Sequence, residues 1–217
     1  MKKIMFNDMY GLTKTVLSGR KTMTRRVEND IDFFFYLKNT EGLILEFNQM
    51  DTFRIFSHDG FLLAEHRCRY AIGEIVAVAQ RYKDAGFKDT DVVRMDEYMY
   101  ETYAGQVPGW NNKMFVRADL MPHRIRIASI KIQKLQDISE EDCLKEGVME
   151  ESRMIGGVEV RKYHPSLRHV EAMKEVGWGI VHDNPKTAFS KLFDFVSGQG
   201  AWDSNPFVFV YEFELVR

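Results

Sequence analysis

The sequence contains few cysteines, which limits how the chain can be cross-linked. Cys68 and Cys143 are the only two among 217 residues, too few for a disulfide framework or a four-thiolate zinc site. Two thiols suit a reducing cytoplasm, and a cytoplasmic location is the prediction. A chain of this length can bury enough surface to fold without such cross-links.

Histidine spacing typical of a metal site is also missing. The six histidines include no H-x-x-x-H or H-x-H pair, so no single element is expected to present two imidazoles to a metal. His66 with Cys68 comes nearest to ligand spacing, and it is a weak signal. We therefore predict no metal and no cofactor.

Long apolar runs and a positive net charge are absent as well. No run approaches the roughly 20 residues needed to span a bilayer, and residues 1–11 lack the apolar block of a signal peptide. A membrane partner is therefore not expected. The net charge of -2 and the pI of about 6.3 argue against a long nucleic-acid duplex as partner. These totals still allow a local basic patch.

The remaining composition is that of a globular protein, with 45% hydrophobic and 29% charged residues. No internal repeat, low-complexity tract or Pro- or Ser-rich linker marks a domain boundary. We predict one domain over residues 1–217, with insertions at about 83–113 and 149–184.

Apolar patterning predicts several strands. Residues 31–66 contain FFFYL, LILEF and FRIF separated by turn sequences, which indicates a β meander. Residues 123–135 alternate isoleucine with polar residues and change phase near Ala128 and Ser129, which predicts a strand with a bulge. Further strands are predicted at residues 4–6, 70–82 and 205–216.

Helix signals occur at four places. A first helix carries Leu12, Val16 and Leu17 on one face and ends at Gly19. Residues 137–148 begin with Ser139 as N-cap and end at Gly147. Two more helices are predicted at residues 165–176 and 187–196.

The segment GRKTMTRR, residues 19–26, concentrates four basic side chains and two hydroxyls in eight residues. Arginine offers a planar fork for phosphates or base edges, and threonine can donate or accept, so this segment can cradle a nucleotide. The alternative is a solvated basic loop after a helix C-terminus, where cations are favoured in any case. Composition alone favours the solvated loop.

Two other residue types are candidates for a site. Glu146 directly precedes Gly147, and a carboxylate opposite a lysine makes an acid–base pair, although most glutamates at helix ends are solvated. Trp110, Trp178 and Trp202 can stack a base, although packing is the commoner role of tryptophan.

Four ordered motifs resemble the ASCH family of the PUA-like superfamily, and especially the ASCH proteins of bacterial genomes and prophages. The motifs are Gly19 with Lys21, Thr24 and Arg26; Tyr70 with Gly73, Glu74 and Ile75; residues 135–147, LQDISEEDCLKEG; and residues 205–213, NPFVFVYEF. They cover both ends and the middle of the chain and leave out the two predicted insertions.

The resemblance implies an α+β fold, a PUA-like β-barrel of five or six mixed strands with flanking helices. It also implies binding of RNA or a modified nucleotide in a cleft lined by the basic segment, with Arg20, Lys21, Thr24, Arg25 and Arg26 as binding residues. Small bacterial members that resemble this chain at that segment remove the acetyl group of N4-acetylcytidine. Their catalytic lysine, threonine and glutamate match Lys21, Thr24 and Glu146.

Three functional hypotheses follow. The first is a module that binds RNA or a modified nucleotide, and the second is a metal-independent amidohydrolase of N-acylated pyrimidine nucleosides. The third is an interaction protein of phage or mobile-element origin, which predicts a large exposed apolar patch on the insertions. Catalysis requires Lys21, Thr24 and Glu146 to converge within hydrogen-bond reach, whereas binding requires only an open basic segment.

Overall fold

The computed structural model describes residues 1–28, 30–48, 50–88, 107–176 and 180–216. In these residues the chain has a mixed α+β architecture with one sheet of five strands, one of three and one of two. In chain order the strands are Lys3–Ile4 (β1), Met23–Arg26 (β2), Ile44–Phe47 (β3), Thr52–Phe56 (β4), Leu62–Arg67 (β5), Ile75–Val78 (β6), Arg124–Lys134 (β7), Met149–Ile155 (β8), Val158–His164 (β9) and Phe207–Val216 (β10). The α-helices are Leu12–Leu17 (α1), Ile31–Asn39 (α2), Glu140–Lys145 (α3), Leu167–Val176 (α4) and Pro185–Ser197 (α5). Short 3-10 turns occur at Tyr82–Asp84, Lys113–Phe115, Ala118–Leu120 and Leu135–Asp137.

The largest sheet has the order β1-β6-β7-β10-β2, in which only the β1–β6 pair is parallel. The long β7–β10 ladder changes register between Glu212 and Phe213, opposite Ala128, which is the predicted bulge. The bulge arises because one extra residue in β7 lets the isoleucines on both sides of it face the core.

The coarse prediction of an α+β fold with five mixed strands is confirmed, but a closed barrel is not found. Among the described residues no strand pair joins the two edges of the sheet, β1 and β2. With only two residues, β1 is too short to support a second ladder. A side chain spans part of this gap, because Arg26 Nη2 donates to the Met5 carbonyl at 2.6 Å.

The hydrophobic core lies on both faces of β10. Four consecutive residues of this strand, Val208, Phe209, Val210 and Tyr211, are at most 1% exposed, so the strand has no solvent-facing side over that stretch. Phe33 of α2 packs near Phe209, with ring centroids 6.4 Å apart. The apolar face of α5 packs into the same core through Phe189, Leu192 and Phe193. The strand predicted at residues 205–216 is therefore confirmed as Phe207–Val216 and lies in the core.

The prediction of a strand at FFFYL is wrong, because these residues belong to α2. Asp30 caps the helix by accepting a hydrogen bond from the Phe33 amide at 3.1 Å. Phe33 and Leu37, four residues apart, are both buried. Capping and packing thus override the β-propensity of the aromatic run. The other two segments form the β3-β4-β5 meander as expected.

The second predicted insertion contains a hairpin that the turn signal alone did not reveal. β8 and β9 pair over seven positions around Gly156 and Gly157, both at positive φ, and α4 follows near its predicted place. The hairpin tip exposes Met154, Ile155 and Val158. Of the first predicted insertion, residues 89–106 lie outside the described part of the chain. No helix in the described residues is long and apolar enough to cross a membrane.

Candidate functional site

The basic segment begins where α1 ends. Gly19 ends the helix with a φ of 73°, a left-handed conformation that favours glycine. The Arg20 and Lys21 amides then both donate to the Thr15 carbonyl, at 2.9 and 3.0 Å. This double hydrogen bond turns the chain back beneath the helix and directs the Lys21 side chain inward, where the residue is only 3% exposed.

The rest of the segment is a strand and not a solvated loop, which corrects the interpretation favoured by composition. Residues 23–26 form β2 and pair with β10, with Thr24 opposite Tyr211 and Arg25 opposite Val210. Thr24 and Arg25 are buried, and Arg26 is half-buried. Pairing with the most buried strand of the sheet thus removes these polar residues from bulk solvent.

Helix α3 brings Glu146 to the same place. Ser139 caps this helix by accepting from the Asp142 amide at 3.1 Å, and Gly147 ends it at a φ of 107°. A Cβ on Gly147 would lie 3.2 Å from Leu12 Cδ2, so the end of α3 packs tightly against α1. Glu146 is the C-cap, and its side chain is buried against the start of the basic segment.

Lys21 and Glu146 form a buried ion pair within a larger network. Lys21 Nζ donates to Glu146 Oε2 at 2.7 Å and to the Glu146 carbonyl at 2.6 Å. Arg25 Nη1 donates to Glu146 Oε1 at 3.0 Å, and Arg25 Nη2 to Asp142 Oδ2 at 2.9 Å. Lys21 and Arg25 thus face the carboxylates of Glu146 and Asp142, and Lys131 Nζ also lies 3.4 Å from Asp142 Oδ2. Each buried charge therefore has a partner of opposite sign, as a buried network requires.

Burial shifts the proton affinity of the lysine. Desolvation lowers the pKa of Lys21 from its ordinary value of 10.5, and this effect exceeds the opposing attraction and hydrogen bond of Glu146. The charges of Arg26 and Arg25 lower the same pKa further. A buried lysine with a lowered pKa can lose its proton more easily and act as a general base.

Several polar atoms at the site have no partner in the described residues. The Nε atoms of Arg25 and Arg26 are buried and make no hydrogen bond there. The Thr24 hydroxyl is not one of these fully buried atoms, although the residue is only 5% exposed. Buried polar groups are rarely left unsatisfied, and such exceptions need an explanation, which a bound ligand can provide.

These side chains line one open cleft of about 490 Å³. The volume lies within the usual range for small-molecule sites, roughly 300–1,000 Å³. The polar side chains at the cleft are Asn7, Lys21, Thr24, Arg25, Arg26, Glu146, Ser197 and Ser204, and the apolar ones include Phe6, Leu12, Phe189, Leu192, Phe193 and Pro206. A lining that combines apolar side chains with polar and cationic ones suits a small ligand with an apolar face and polar edges.

The structure places most of the predicted site residues together. Lys21, Thr24, Arg25, Arg26 and Glu146 all line the cleft. Arg20 does not line it, because the hydrogen bonds to Thr15 leave its side chain exposed on the outer surface.

The tryptophans are not part of the cleft lining in the described residues. Trp202 packs edge-on against Phe189 with centroids 6.0 Å apart, and Trp110 packs against a small separate core near Tyr82. Trp178 lies outside the described residues.

Three contributors were not identified from the sequence. Asp142 holds Arg25, and its position four residues before Glu146 on a predicted helix was a usable signal, because such residues share a helix face. Phe189 lies beneath the Arg25 guanidinium at 5.9 Å, and Phe6 beneath Arg26 at 5.8 Å. No sequence signal connects these aromatic residues with the site.

No group of three or more His, Cys, Asp or Glu side chains in the described residues is arranged to hold a metal ion. His66 instead contacts two carboxylates, Glu28 Oε2 at 2.9 Å and Asp30 Oδ2 at 2.6 Å. Comparison with known proteins gives no further guidance. No protein-family model, no curated protein and no solved structure matches the chain.

Proposed function

We propose that the protein is an amidohydrolase that removes an acyl group from the base of an N-acylated pyrimidine nucleoside, such as N4-acetylcytidine. The observation that carries this proposal is the buried contact of 2.7 Å between Lys21 Nζ and Glu146 Oε2, in a cleft that Thr24 also lines. Thr24 makes no hydrogen bond with either residue in the described structure, so the reaction requires its hydroxyl to approach Lys21 in the substrate complex. A buried lysine, a carboxylate and a hydroxyl can together hydrolyse an amide without a metal.

In the proposed reaction, neutral Lys21 takes the proton of the Thr24 hydroxyl while the oxygen attacks the acyl carbon. The C–N bond then breaks, and the Lys21 ammonium returns the proton to the departing amine of the base. Water, activated by Lys21, hydrolyses the threonine ester and releases the carboxylate. The net change is amide plus water to amine plus carboxylic acid, with the enzyme restored.

Glu146 and Arg25 have supporting roles in this proposal. Glu146 holds the Lys21 amine by its side chain and carbonyl, which limits the directions in which the lone pair can point. Arg25 is anchored by Glu146 and Asp142, and its Nε atom has no partner among the described residues. A fixed cation beside the reacting carbon can stabilise the oxyanion.

Substrate recognition is assigned to the apolar side of the cleft. The apolar side chains that line it, such as Leu192 and Val196, are proposed to cover the flat face of the pyrimidine ring. Its acylated amine is proposed to point toward Thr24.

We also propose that the chain is an ASCH protein with a PUA-like fold. The support is the motif resemblance, the mixed five-stranded sheet, and the meeting of the first and third motifs at the Lys21–Glu146 pair. The Arg26 link between the sheet edges marks where a barrel of this type would close.

The test is incubation of the purified protein with N4-acetylcytidine and related N-acyl nucleosides, followed by chromatography. Thr24→Val replaces a hydroxyl by a methyl group of equal size, and Lys21→Met removes the amine; we expect each to abolish turnover. Thr22→Val in the same segment is the matched control, because Thr22 does not line the cleft. Full activity of Thr24→Val would exclude Thr24 as the nucleophile. Absence of turnover on every N-acyl nucleoside by the folded wild-type protein refutes the amidohydrolase.

Recognition of RNA or a modified nucleotide without chemistry is the second candidate. The observation in its favour is the buried ion pair itself, since the attraction and hydrogen bond of Glu146 oppose loss of the lysine proton. In that case the protein binds cytidine derivatives or single-stranded RNA, with Arg26→Gln weakening binding, and turns over none of them.

The interaction hypothesis has one related observation. The hairpin tip exposes three apolar side chains, Met154, Ile155 and Val158. Nothing in the described structure indicates what would cover them, and we make no proposal for this surface.

A further inference from the structure

A second concavity adjoins the cleft and is lined by two arginines. This recess, of about 330 Å³, is lined by Arg26, Val27, Glu28, Arg69 and Tyr70. Arg26 and Val27 also line the main cleft, so the two spaces share a wall. The two concavities are therefore adjacent, separated by Arg26 and Val27.

The carboxylate that lines this recess, Glu28, makes no ion pair with its arginines in the described structure. Glu28 Oε2 contacts His66 Nε2 at 2.9 Å, and Glu28 Oε1 accepts from the Tyr211 hydroxyl at 3.0 Å. Both carboxylate oxygens are thus engaged away from the arginines. No ion pair involves Arg26 or Arg69 among the described side chains.

The two arginines are each partly free to bind. Met5 accepts one hydrogen bond from Arg26 Nη2, while the buried Arg26 Nε has no partner in the described part of the chain. Arg69 is exposed, with its guanidinium 5.7 Å from the Tyr70 ring centroid. The Arg69 charge is close enough to lower the pKa of Arg26, although burial is the larger cause. An anion between the two groups would relieve this repulsion.

We propose that Arg26 and Arg69 form a phosphate subsite, so that the ligand of the cleft is a nucleoside bearing a phosphate on its ribose. This inference rests on the proposed function. The base occupies the aromatic cleft, the ribose covers the exposed Val27 side chain, and the phosphate lies between the guanidinium groups. The phosphate belongs either to a mononucleotide or to an internucleotide link of an RNA strand, since the chemistry recognised is the same.

The experiment compares kcat/KM for N4-acetylcytidine, its 5′- and 3′-monophosphates, and a trinucleotide with N4-acetylcytidine at its centre. We expect a phosphorylated substrate to be preferred by about tenfold or more. Arg69→Gln should lower this preference severalfold, and rising salt should weaken it. Arg67→Gln is the matched control, an exposed arginine two residues away that lines none of the described concavities. Preference for the trinucleotide over both monophosphates identifies a strand as the source of the phosphate.

A calorimetric titration separates this inference from the proposed function. Cytidine 5′- and 3′-monophosphates should each be compared with cytidine as ligands of wild-type protein and of Arg69→Gln. If no acylated compound is hydrolysed but a monophosphate still binds more tightly through Arg69, the subsite stands and the amidohydrolase fails. If N4-acetylcytidine is hydrolysed as well as its phosphorylated forms, and Arg69→Gln changes no ratio, the subsite is refuted while the enzyme stands.

Discussion

Replacement of Glu146 by glutamine is the sharpest test of the buried network. Glutamine keeps the shape of the side chain but removes its charge, and its amide group must direct hydrogens toward one of two cations, Lys21 at 2.7 Å or Arg25 at 3.0 Å. Lys21 and Glu146 side chains are 3% and 5% exposed, so solvent screens the lost charge only weakly. Breaking such a pair by removing one partner typically costs about 3–5 kcal/mol.

The free energy of unfolding should be measured by urea denaturation of wild type, Glu146→Gln, Lys21→Met and the double variant. We expect Glu146→Gln to lose about 3–5 kcal/mol, which corresponds to a fall in Tm of about 6–20 °C for a chain of this length. Lys21→Met should cost less, because Glu146 keeps its contact with Arg25. The double variant should be more stable than the sum of the single effects predicts, by about 1–3 kcal/mol.

Glu141→Gln is the control for this series. Glu141 lies on the same helix, is 77% exposed and, among the described residues, pairs only with Lys145 at 3.1 Å, so its loss should change stability by less than about 1 kcal/mol. If Glu146→Gln costs no more than this control, and the double variant is additive, the reasoning that a buried charge network joins α3 to the basic segment is refuted.

Three further predictions concern protonation and backbone geometry. Because burial lowers the pKa of Lys21, kcat/KM for deacylation should rise with pH through a pKa below 10.5, and a profile flat from pH 6 to 10.5 would contradict the role of Lys21 as base. The hydrogen bond to Glu28 raises the pKa of His66 above 6.5. The stability that protonated His66 contributes to the folded protein is therefore fully present below pH 6.5 and is lost as the pH rises through the pKa of His66 in the folded state. Urea denaturation should show that His66→Gln removes this pH dependence. Gly147→Ala should cost about 1–3 kcal/mol, because the residue has a φ of 107° and the new Cβ would approach Leu12 Cδ2 to 3.2 Å; a calorimetric Tm equal to that of wild type would contradict this close packing.

Local signals predicted part of the fold well. Ser139 and Gly147 bound α3 because capping hydrogen bonds and a positive φ depend on nearby residues alone. The bulge at Ala128 was visible because period-two alternation records which side chains face the core. In contrast, the aromatic run in α2 carries a β-propensity, and only its Asp30 cap and packing against Phe209 make it helical.

The candidate site shows the same division. Motif resemblance identified Lys21, Thr24 and Glu146. The four-residue spacing of a helix could also have identified Asp142. The contact between Lys21 and Glu146 joins residues 125 positions apart, and Phe189 reaches Arg25 only after α5 packs on the sheet. The recess likewise exists only because the fold brings residues 26–28 next to Arg69 and Tyr70.

The sequence by itself determined where helices and strands begin and end at strongly capped or alternating segments, and which residues carry charge at the basic segment. Only the tertiary structure decided that this segment is buried rather than solvated. The reason is physical: capping and periodicity act between neighbours in the chain, whereas desolvation depends on everything packed around a group. In an exposed loop, the Lys21 ammonium would be an ordinary surface charge. In the folded protein it lies beneath α1 and beside Glu146, where it is a buried group with a lowered pKa.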